Sequence, residues 1–255
     1  NLVFKFSGKS YIAILLLLWI IDIMNFIKKI IFFIVFYFFT VIFAIFSLPL
    51  LLLPRRYLSI SLKLWSKFLS TLLYFFFKIK HKIFGEFKYK QVIYAIQHQS
   101  IWETIVLADQ LPGSIAIIMK KELISLPIIG WLFRHSGAIP LNRGRHIESI
   151  KRLLLGSQNA INKGDSIIIY PQGTRVMPGV KKPYFSGVYA IYKHLNIPVV
   201  PIALNSGKFW YKFYLNGPGE IKVTILPAIL PGMGKKEFMS KLENLIENEA
   251  KKLLN

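Results

Sequence analysis

The sequence contains no cysteine and only 12 acidic side chains in 255 residues. Without a thiol, the chain has no disulfide framework, no thiolate metal site and no thiol nucleophile. Its five histidines are scattered and form no His-Glu-x-x-His pattern. That pattern is typical of a zinc helix, so its absence speaks against a zinc enzyme, and we expect no bound metal.

The shortage of acid leaves a large excess of positive charge. Lys and Arg total 33, which gives a formal net charge of +21. Such an excess predicts an anionic partner: lipid headgroups, an acidic carrier protein, a phosphorylated substrate or nucleic acid. The composition also predicts two parts, a membrane-associated N-terminal region over residues 1–79 and one domain over residues 80–255.

The N-terminal region is almost continuously apolar. Residues 30–53 carry no charge and are long enough to cross a membrane as a helix. Basic pairs flank this run on both sides, so the distribution of positive charge gives no orientation. A clean span and a hairpin bent near Pro49 and Pro54 both remain open. Residues 57–77 show helical apolar periodicity, and this amphipathic helix either lies in the membrane interface or packs on the following domain.

A shorter apolar stretch, residues 11–24, precedes this region. The sequence begins with Asn1, and Met24 stands before a fresh Lys-flanked run. One hypothesis is that residues 1–23 are an upstream extension. N-terminal sequencing of the natural protein that began before Met24 would contradict it.

From about residue 80 the sequence alternates between strand and helix patterns. Short apolar runs predict strands at residues 92–96, 115–119, 166–170, 199–204 and 221–226. Longer periodic runs predict helices at residues 101–110, 146–163, 188–195 and 235–254. This alternation predicts an α/β fold with a mostly parallel sheet flanked by helices, in which sites gather at the carboxyl ends of the strands.

One histidine stands at such a strand end. His98 follows the run 92–96, and Glu103 comes five residues later in the first turn of the next predicted helix. A carboxylate on one imidazole nitrogen fixes the tautomer and leaves the other nitrogen free to accept a proton, as acyl transfer requires. The alternative is a capping box that begins at Ser100, in which Glu103 only satisfies a backbone N–H.

Two arginines lie in loops beside predicted strand ends. Arg143 follows a short apolar segment, and Arg175 closes the loop after residues 166–170. Arginine binds phosphate or carboxylate in a bidentate manner, and Gly173 would let backbone N–H groups approach an anion closely. Both arginines are also compatible with a solvated loop.

Together these segments resemble the four motif blocks of the glycerolipid acyltransferase family. The blocks are HQSIWE at residues 98–103, GAIPLNR at 137–143, YPQGTR at 170–175 and VPIALNSG at 200–207. From about Met24 the chain is similar to bacterial 1-acyl-sn-glycerol-3-phosphate acyltransferases, which are also called lysophosphatidic acid acyltransferases. The resemblance implies transfer of a fatty acyl group from acyl-CoA or acyl carrier protein to the sn-2 hydroxyl of lysophosphatidic acid, which makes phosphatidic acid.

The resemblance also implies roles for individual residues. His98 would be the general base and Glu103 its orienter, and the block around Pro201 would shape the acyl side. The acceptor phosphate would be held by residues of the second and third blocks, namely Arg143, Gln172, Gly173, Thr174 and Arg175. We expect the oxyanion donors to be backbone N–H groups at the start of the helix after His98. The chain departs from the family at Glu103, where aspartate is more usual, and at Gln172, where glutamate is.

The same resemblance implies a bacterial inner membrane location with the site facing the cytoplasm, and no cofactor beyond the acyl donor as co-substrate. Three alternatives stay open. The first is a related acyltransferase with another acceptor, such as glycerol 3-phosphate or a different lysolipid. The second is a membrane-anchored nucleic-acid-binding protein, and the third is an inactive scaffold.

Overall fold

A computed structural model describes residues 8–142 and 146–254 of the chain. Nine α-helices occur in these residues: α1 Gly8–Phe46, α2 Arg55–Phe77, α3 Ala108–Gln110, α4 Lys121–Ile124, α5 Ile129–His135, α6 His146–Asn162, α7 Gly187–Leu195, α8 Ser206–Phe209 and α9 Lys235–Leu254. Nine strands occur in the same residues: β1 Ile79–Phe84, β2 Ile93–Ile96, β3 Ile115–Lys120, β4 Ile139–Leu141, β5 Ser166–Ile169, β6 Val199–Leu204, β7 Trp210–Tyr211, β8 Tyr214–Leu215 and β9 Gly219–Ile225. A 3₁₀ turn spans Leu48–Leu52, and a π-helical segment spans Glu103–Leu107.

Seven strands form one sheet in the order β1-β9-β6-β2-β5-β3-β4. The last five strands in this order, from β6 to β4, are all parallel, whereas β9 pairs with β6 in the antiparallel sense. The parallel strands are short apolar runs, as expected for strands that are covered on both faces. The predicted α/β fold with a mostly parallel sheet is therefore confirmed. Because these strands are parallel, their carboxyl ends meet at one edge, which we call the active-site edge.

The core lies between the sheet and the helices α6, α7 and α9. Sheet residues such as Ile93, Ile167 and Val199 are fully buried and belong to one apolar cluster with Val188 of α7 and Phe238 of α9. Close packing of this kind holds the strand ends in fixed positions. The loops that leave the active-site edge therefore start from a rigid frame.

Two helices, Ile14–Leu52 and Arg55–Phe77, are long and apolar enough to cross a membrane, by length and composition only. The first helix continues through Met24 without a break, because no glycine or proline interrupts α1. Contact density divides the chain into one unit that ends at Val41 and another that begins at Ile42. The predicted domain boundary near residue 80 remains a prediction.

The helix α2 packs on the α/β domain through one face, which was one of the two alternatives. It contacts β1 and the π-helical segment, and it buries Leu58, Trp65 and Leu69. The periodicity of residues 57–77 predicts Leu62 on the apolar face and Ser66 on the opposite one, and both predictions are wrong, since Leu62 is exposed and Ser66 is buried. The buried face of α2 also includes small serines, and Ser61 hydrogen-bonds Ser47 at 2.7 Å.

Candidate active site

His98 lies immediately beyond β2, at the active-site edge of the sheet. Its side chain is 17% exposed, and its Nδ1 atom is 3.0 Å from Oε1 of Glu103. The ring stacks on Tyr170, with 4.2 Å between the ring centroids. With Nδ1 donating to a carboxylate, Nε2 is the nitrogen that can accept a proton. The structure thus brings together the predicted base and its predicted orienter.

Glu103 is completely buried and accepts four hydrogen bonds. Its Oε1 accepts the backbone N–H groups of Gln99 and Ser100, both at 2.6 Å, in addition to the histidine. Its Oε2 accepts the hydroxyl of Ser206 at 2.8 Å. The bond from Ser100 N–H is the one that a capping box provides. The two interpretations of Glu103 therefore describe the same carboxylate.

The helix after His98 begins as a π-helix rather than as the α-helix expected over residues 101–110. The segment Glu103–Leu107 is π-helical, and α3 continues it for one short turn. Single π-turns within helices are rare and occur frequently at functional sites. Here the wide turn carries the carboxylate that faces His98.

The third block is tied directly to the backbone of His98. The amide oxygen of Gln172 accepts the His98 N–H at 2.9 Å, and the Val176 N–H donates to the His98 carbonyl at 2.8 Å. Gly173, with φ of 65°, makes the turn between these two contacts. Gln172 itself is fully buried, and its Nε2 has no hydrogen-bond partner in the described part of the chain. The third loop is thus fixed against the base.

The structure places only some of the residues that were predicted to bind phosphate. Arg175 is exposed, and its backbone lies next to the Val176 N–H that binds the His98 carbonyl. Thr174 is half-buried. Arg143 lies outside the described residues. The segment that leads to it, β4, pairs in parallel with β3 and ends at the active-site edge. Pro201 is buried within β6, in register with Ala95 of β2, rather than at a strand end.

Three residues that the sequence did not indicate also hold the site. Ser206 binds Glu103, and Tyr170 stacks on His98. Gln99 links the first and fourth blocks, since it donates to the Leu204 carbonyl at 3.0 Å and accepts the Gly207 N–H at 2.9 Å. Each contact joins segments that are about 70 to 110 residues apart in the chain, so no local sequence pattern predicts these contacts. All three do fall inside the motif blocks, Gln99 in the first, Tyr170 in the third and Ser206 in the fourth, and this was the one available signal.

Electrostatics at the site keep Tyr170 neutral. Burial raises the pKa of its phenol well above the ordinary value, and the negative charge of Glu103 raises it further. A phenol with such a pKa stays protonated at neutral pH and cannot act as a base. Of the two stacked rings, only His98 can therefore be the general base. No three His, Asp or Glu side chains meet as a metal site within residues 8–142 and 146–254.

Comparison with known proteins identifies the family. The acyltransferase family model matches residues 78–205, half of the chain. A 1-acyl-sn-glycerol-3-phosphate acyltransferase from Pseudomonas aeruginosa is 29% identical over 189 residues, which cover 73% of each chain. The human 1-acyl-sn-glycerol-3-phosphate acyltransferase beta is 28% identical over 136 residues, which cover 52% of this chain and 48% of the human protein. A chloroplastic relative from Brassica napus is 31% identical, and the match spans 44% of this chain and 32% of the relative.

A solved structure shows the same fold. The crystal structure of the 1-acyl-sn-glycerophosphate (LPA) acyltransferase PlsC from Thermotoga maritima superimposes with a TM-score of 0.74. The superposition covers 90% of this chain and 98% of the other, at 19% sequence identity. The family model, the relatives and the paired histidine and carboxylate at the sheet edge agree: the chain belongs to the acyltransferase family and is an O-acyltransferase.

Proposed function

We propose that this enzyme transfers a fatty acyl group from acyl-CoA or acyl-ACP to the sn-2 hydroxyl of 1-acyl-glycerol 3-phosphate. The product is phosphatidic acid, and the reaction serves phospholipid biosynthesis. The observation that carries the proposal is the contact between His98 and the buried Glu103, which leaves Nε2 of the histidine as a base. The bacterial, plant and human relatives are all named 1-acyl-sn-glycerol-3-phosphate acyltransferases, which supports this choice of acceptor.

The chemistry follows from this pair. Nε2 of His98 takes the proton of the acceptor hydroxyl while the hydroxyl oxygen attacks the thioester carbonyl. Glu103 stabilises the imidazolium that forms. When the tetrahedral intermediate collapses, the carbon–sulfur bond breaks and the imidazolium returns the proton to the thiolate, which leaves as a thiol. A base of this kind contributes about 10²–10⁴ in rate.

Three of the backbone N–H groups near the start of the helix after His98 are already engaged and do not donate to the oxyanion of the intermediate. The N–H groups of Gln99 and Ser100 point at Glu103, and that of Trp102 points at the Ser100 hydroxyl. These three groups are therefore engaged inside the protein. The donors for the oxyanion must come from outside this set.

In our proposal the arginines bind the acceptor phosphate. Arg175 lies in the loop that binds the His98 backbone, and Arg143 follows the strand end of β4. Gly173 and Thr174 lie in the same turn as Arg175 and complete the phosphate side. Gln172 was expected at the substrate too, but it is buried and binds the His98 N–H, so its contribution is to hold this loop in place.

The proposed setting is a membrane, because both the acceptor and the product are lipids. The two apolar N-terminal helices fit attachment to the bacterial inner membrane with the site facing the cytoplasm. The proposed reaction uses no metal or other cofactor, since the acyl donor is the only co-substrate.

The deciding experiment measures phosphatidic acid formation by purified protein in vesicles, with acyl-CoA and acyl-ACP supplied in parallel. His98→Ala should abolish the activity, whereas the control His194→Ala, on the exposed side of α7, should keep it. Activity with one donor only would also name that donor. If the folded wild-type protein is inactive with both donors but active with glycerol 3-phosphate or another lysolipid, the proposed acceptor is wrong and the acyltransferase chemistry stands.

A further inference from the structure

The segment between β3 and β4 begins at the active-site edge and exposes large apolar side chains. Leu123, Leu126 and Trp131 are 42%, 44% and 46% exposed. We call them, with the exposed cations around them, the α4–α5 patch. Its members are Lys120, Lys121, Leu123, Leu126, Trp131 and Arg134.

A tight corner between α4 and α5 leaves Leu126 at an exposed tip. The helices α4 and α5 meet so closely that a Cβ on Gly130 would lie 2.3 Å from the Ile124 carbonyl oxygen. Between them the chain makes a tight turn at Ile128, with φ of 60°, in which the Ile129 N–H bonds the Pro127 carbonyl at 2.7 Å. Ile124 fills the inner side of this corner and is buried. Leu126 and Pro127 are left at the outer tip.

The composition of the patch fits one kind of partner. A tryptophan and leucines with basic residues around them are typical of protein surfaces that lie in the interfacial layer of a bilayer. Lys120, Lys121 and Arg134 outnumber the single exposed acid of the segment, Glu122, three to one. Cations at this position are attracted by anionic lipid headgroups.

The patch also adjoins the end of the apolar N-terminal segment. The helix α5 contacts the 3₁₀ turn Leu48–Leu52, and His135 Nε2 lies 3.1 Å from the Leu53 carbonyl oxygen. Leu52 in that turn is 90% exposed. The same turn ends the segment that is long enough to cross a membrane. Exposed apolar side chains therefore lie on both sides of the contact between α5 and this turn, Trp131 on the helix and Leu52 on the turn.

The position of the patch gives it a consequence for the active site. Lys120 ends β3, and β3 lies two strands from β2 in the sheet, with all carboxyl ends on one side. Two inter-strand spacings amount to about 10 Å. We propose that the α4–α5 patch inserts into the interfacial layer of an anionic bilayer and holds the active-site edge at the lipid surface. The insertion stands by itself, whereas its benefit for a lipid acceptor rests on the proposed function.

The absence of cysteine makes a direct test simple. Leu126→Cys carries a single polarity-sensitive fluorophore, and the full-length protein is mixed with vesicles of phosphatidylglycerol and phosphatidylcholine that contain a lipid-borne quencher. The matched control is Leu230→Cys, which is 55% exposed and lies at the opposite edge of the sheet, beside the start of β6. We expect a blue shift and quenching at position 126 at least threefold stronger than at position 230. Equal, water-like signals at both positions while the protein is bound to vesicles would overturn the proposal, and so would equal quenching at both.

A second measurement tests the charge. Lys120→Glu combined with Lys121→Glu should weaken the quenching at position 126 in anionic vesicles and leave it unchanged in neutral ones. An unchanged signal in anionic vesicles refutes the electrostatic part. These experiments need no substrate, so their result is independent of whether the protein acylates lysophosphatidic acid. If it does, Leu126→Ser with Trp131→Ser should raise KM for a vesicle-borne acceptor severalfold and leave kcat in detergent micelles unchanged.

Discussion

Shortening the buried carboxylate by one methylene tests whether its reach keeps His98 in place. In Glu103→Asp the carboxylate withdraws by about 1.5 Å if the backbone stays where it is. The 3.0 Å contact with Nδ1 of His98 then lengthens to about 4.5 Å, which is beyond hydrogen-bond range. A hydrogen bond to a charged group contributes about 1.5–3 kcal/mol, and 1.36 kcal/mol corresponds to tenfold in rate. We therefore expect kcat/KM to fall about 10- to 150-fold, although aspartate is the more usual residue in the family.

The assay is the initial rate of phosphatidic acid formation in vesicles, with thermal unfolding as a check that the variant is folded. Glu103→Gln is the companion variant, because it keeps the length and removes the charge. Its loss should exceed that of Glu103→Asp, since no negative charge then stabilises the imidazolium. Wild-type kcat/KM in the folded Glu103→Asp variant would refute the argument that the observed distances limit the rate.

Three further predictions concern the surroundings of the pair and the outer face of the domain. Ser206→Ala removes the hydroxyl that donates to Oε2 of Glu103 and should lower kcat/KM about tenfold. Ser206→Thr should restore most of the activity, and KM for the acyl donor should stay unchanged. Gln172→Ala leaves the His98 N–H without its acceptor and should cost about 1–3 kcal/mol in chemical unfolding, whereas an unchanged midpoint would show that the contact is dispensable. Burial raises the pKa of Glu247, with Glu243 adding to the rise and Tyr184, Lys181 and Lys251 opposing it, so the folded state disfavours the charged carboxylate. The cost of burying the charged carboxylate is absent below the pKa of Glu247 in the unfolded chain and grows as pH rises through its pKa in the folded protein. Glu247→Gln removes this cost, so the melting temperature of the variant minus that of wild type should be higher at pH 7.5 than at pH 4. A difference that does not vary with pH would contradict this.

The sheet was predictable because its central strands are buried on both faces. Such strands are continuous apolar runs, and the bounds of β6 match the prediction residue for residue. The edge strand β1 was not predicted. Its sequence, IKHKIF, places lysines at positions 80 and 82, which suits an edge strand but resembles a solvated loop. Helix ends followed local chemistry, and Asn196 caps α7 in the left-handed conformation.

From local spacing alone the site was predictable only where its residues are close in sequence, and the third block was joined to it by the family resemblance. His98 and Glu103 are five residues apart, so one loop and one helical turn bring them together. Ser206 and Gln99 contribute through the packing of β6 against β2, which no local pattern encodes. The face of α2 was misjudged for a related reason. A serine can be buried when a partner such as Ser47 satisfies its hydroxyl, and periodicity counts only apolar residues.

The sequence left two alternative roles for Glu103, one in capping a helix and one in catalysis. The structure shows why the two roles do not exclude each other. A carboxylate has two oxygens and about four acceptor sites, and here all the observed donors converge on them: two backbone N–H groups, one imidazole and one hydroxyl. The same group therefore starts the helix and orients the base. It follows that a change at Glu103 weakens the helix start together with the base, so loss of activity there is no proof of a catalytic role by itself. His98 separates the two effects, because its side chain contacts the carboxylate and the Tyr170 ring but caps no helix. If the pair is catalytic, His98→Ala must abolish turnover while the helix start, and with it most of the thermal stability, survives.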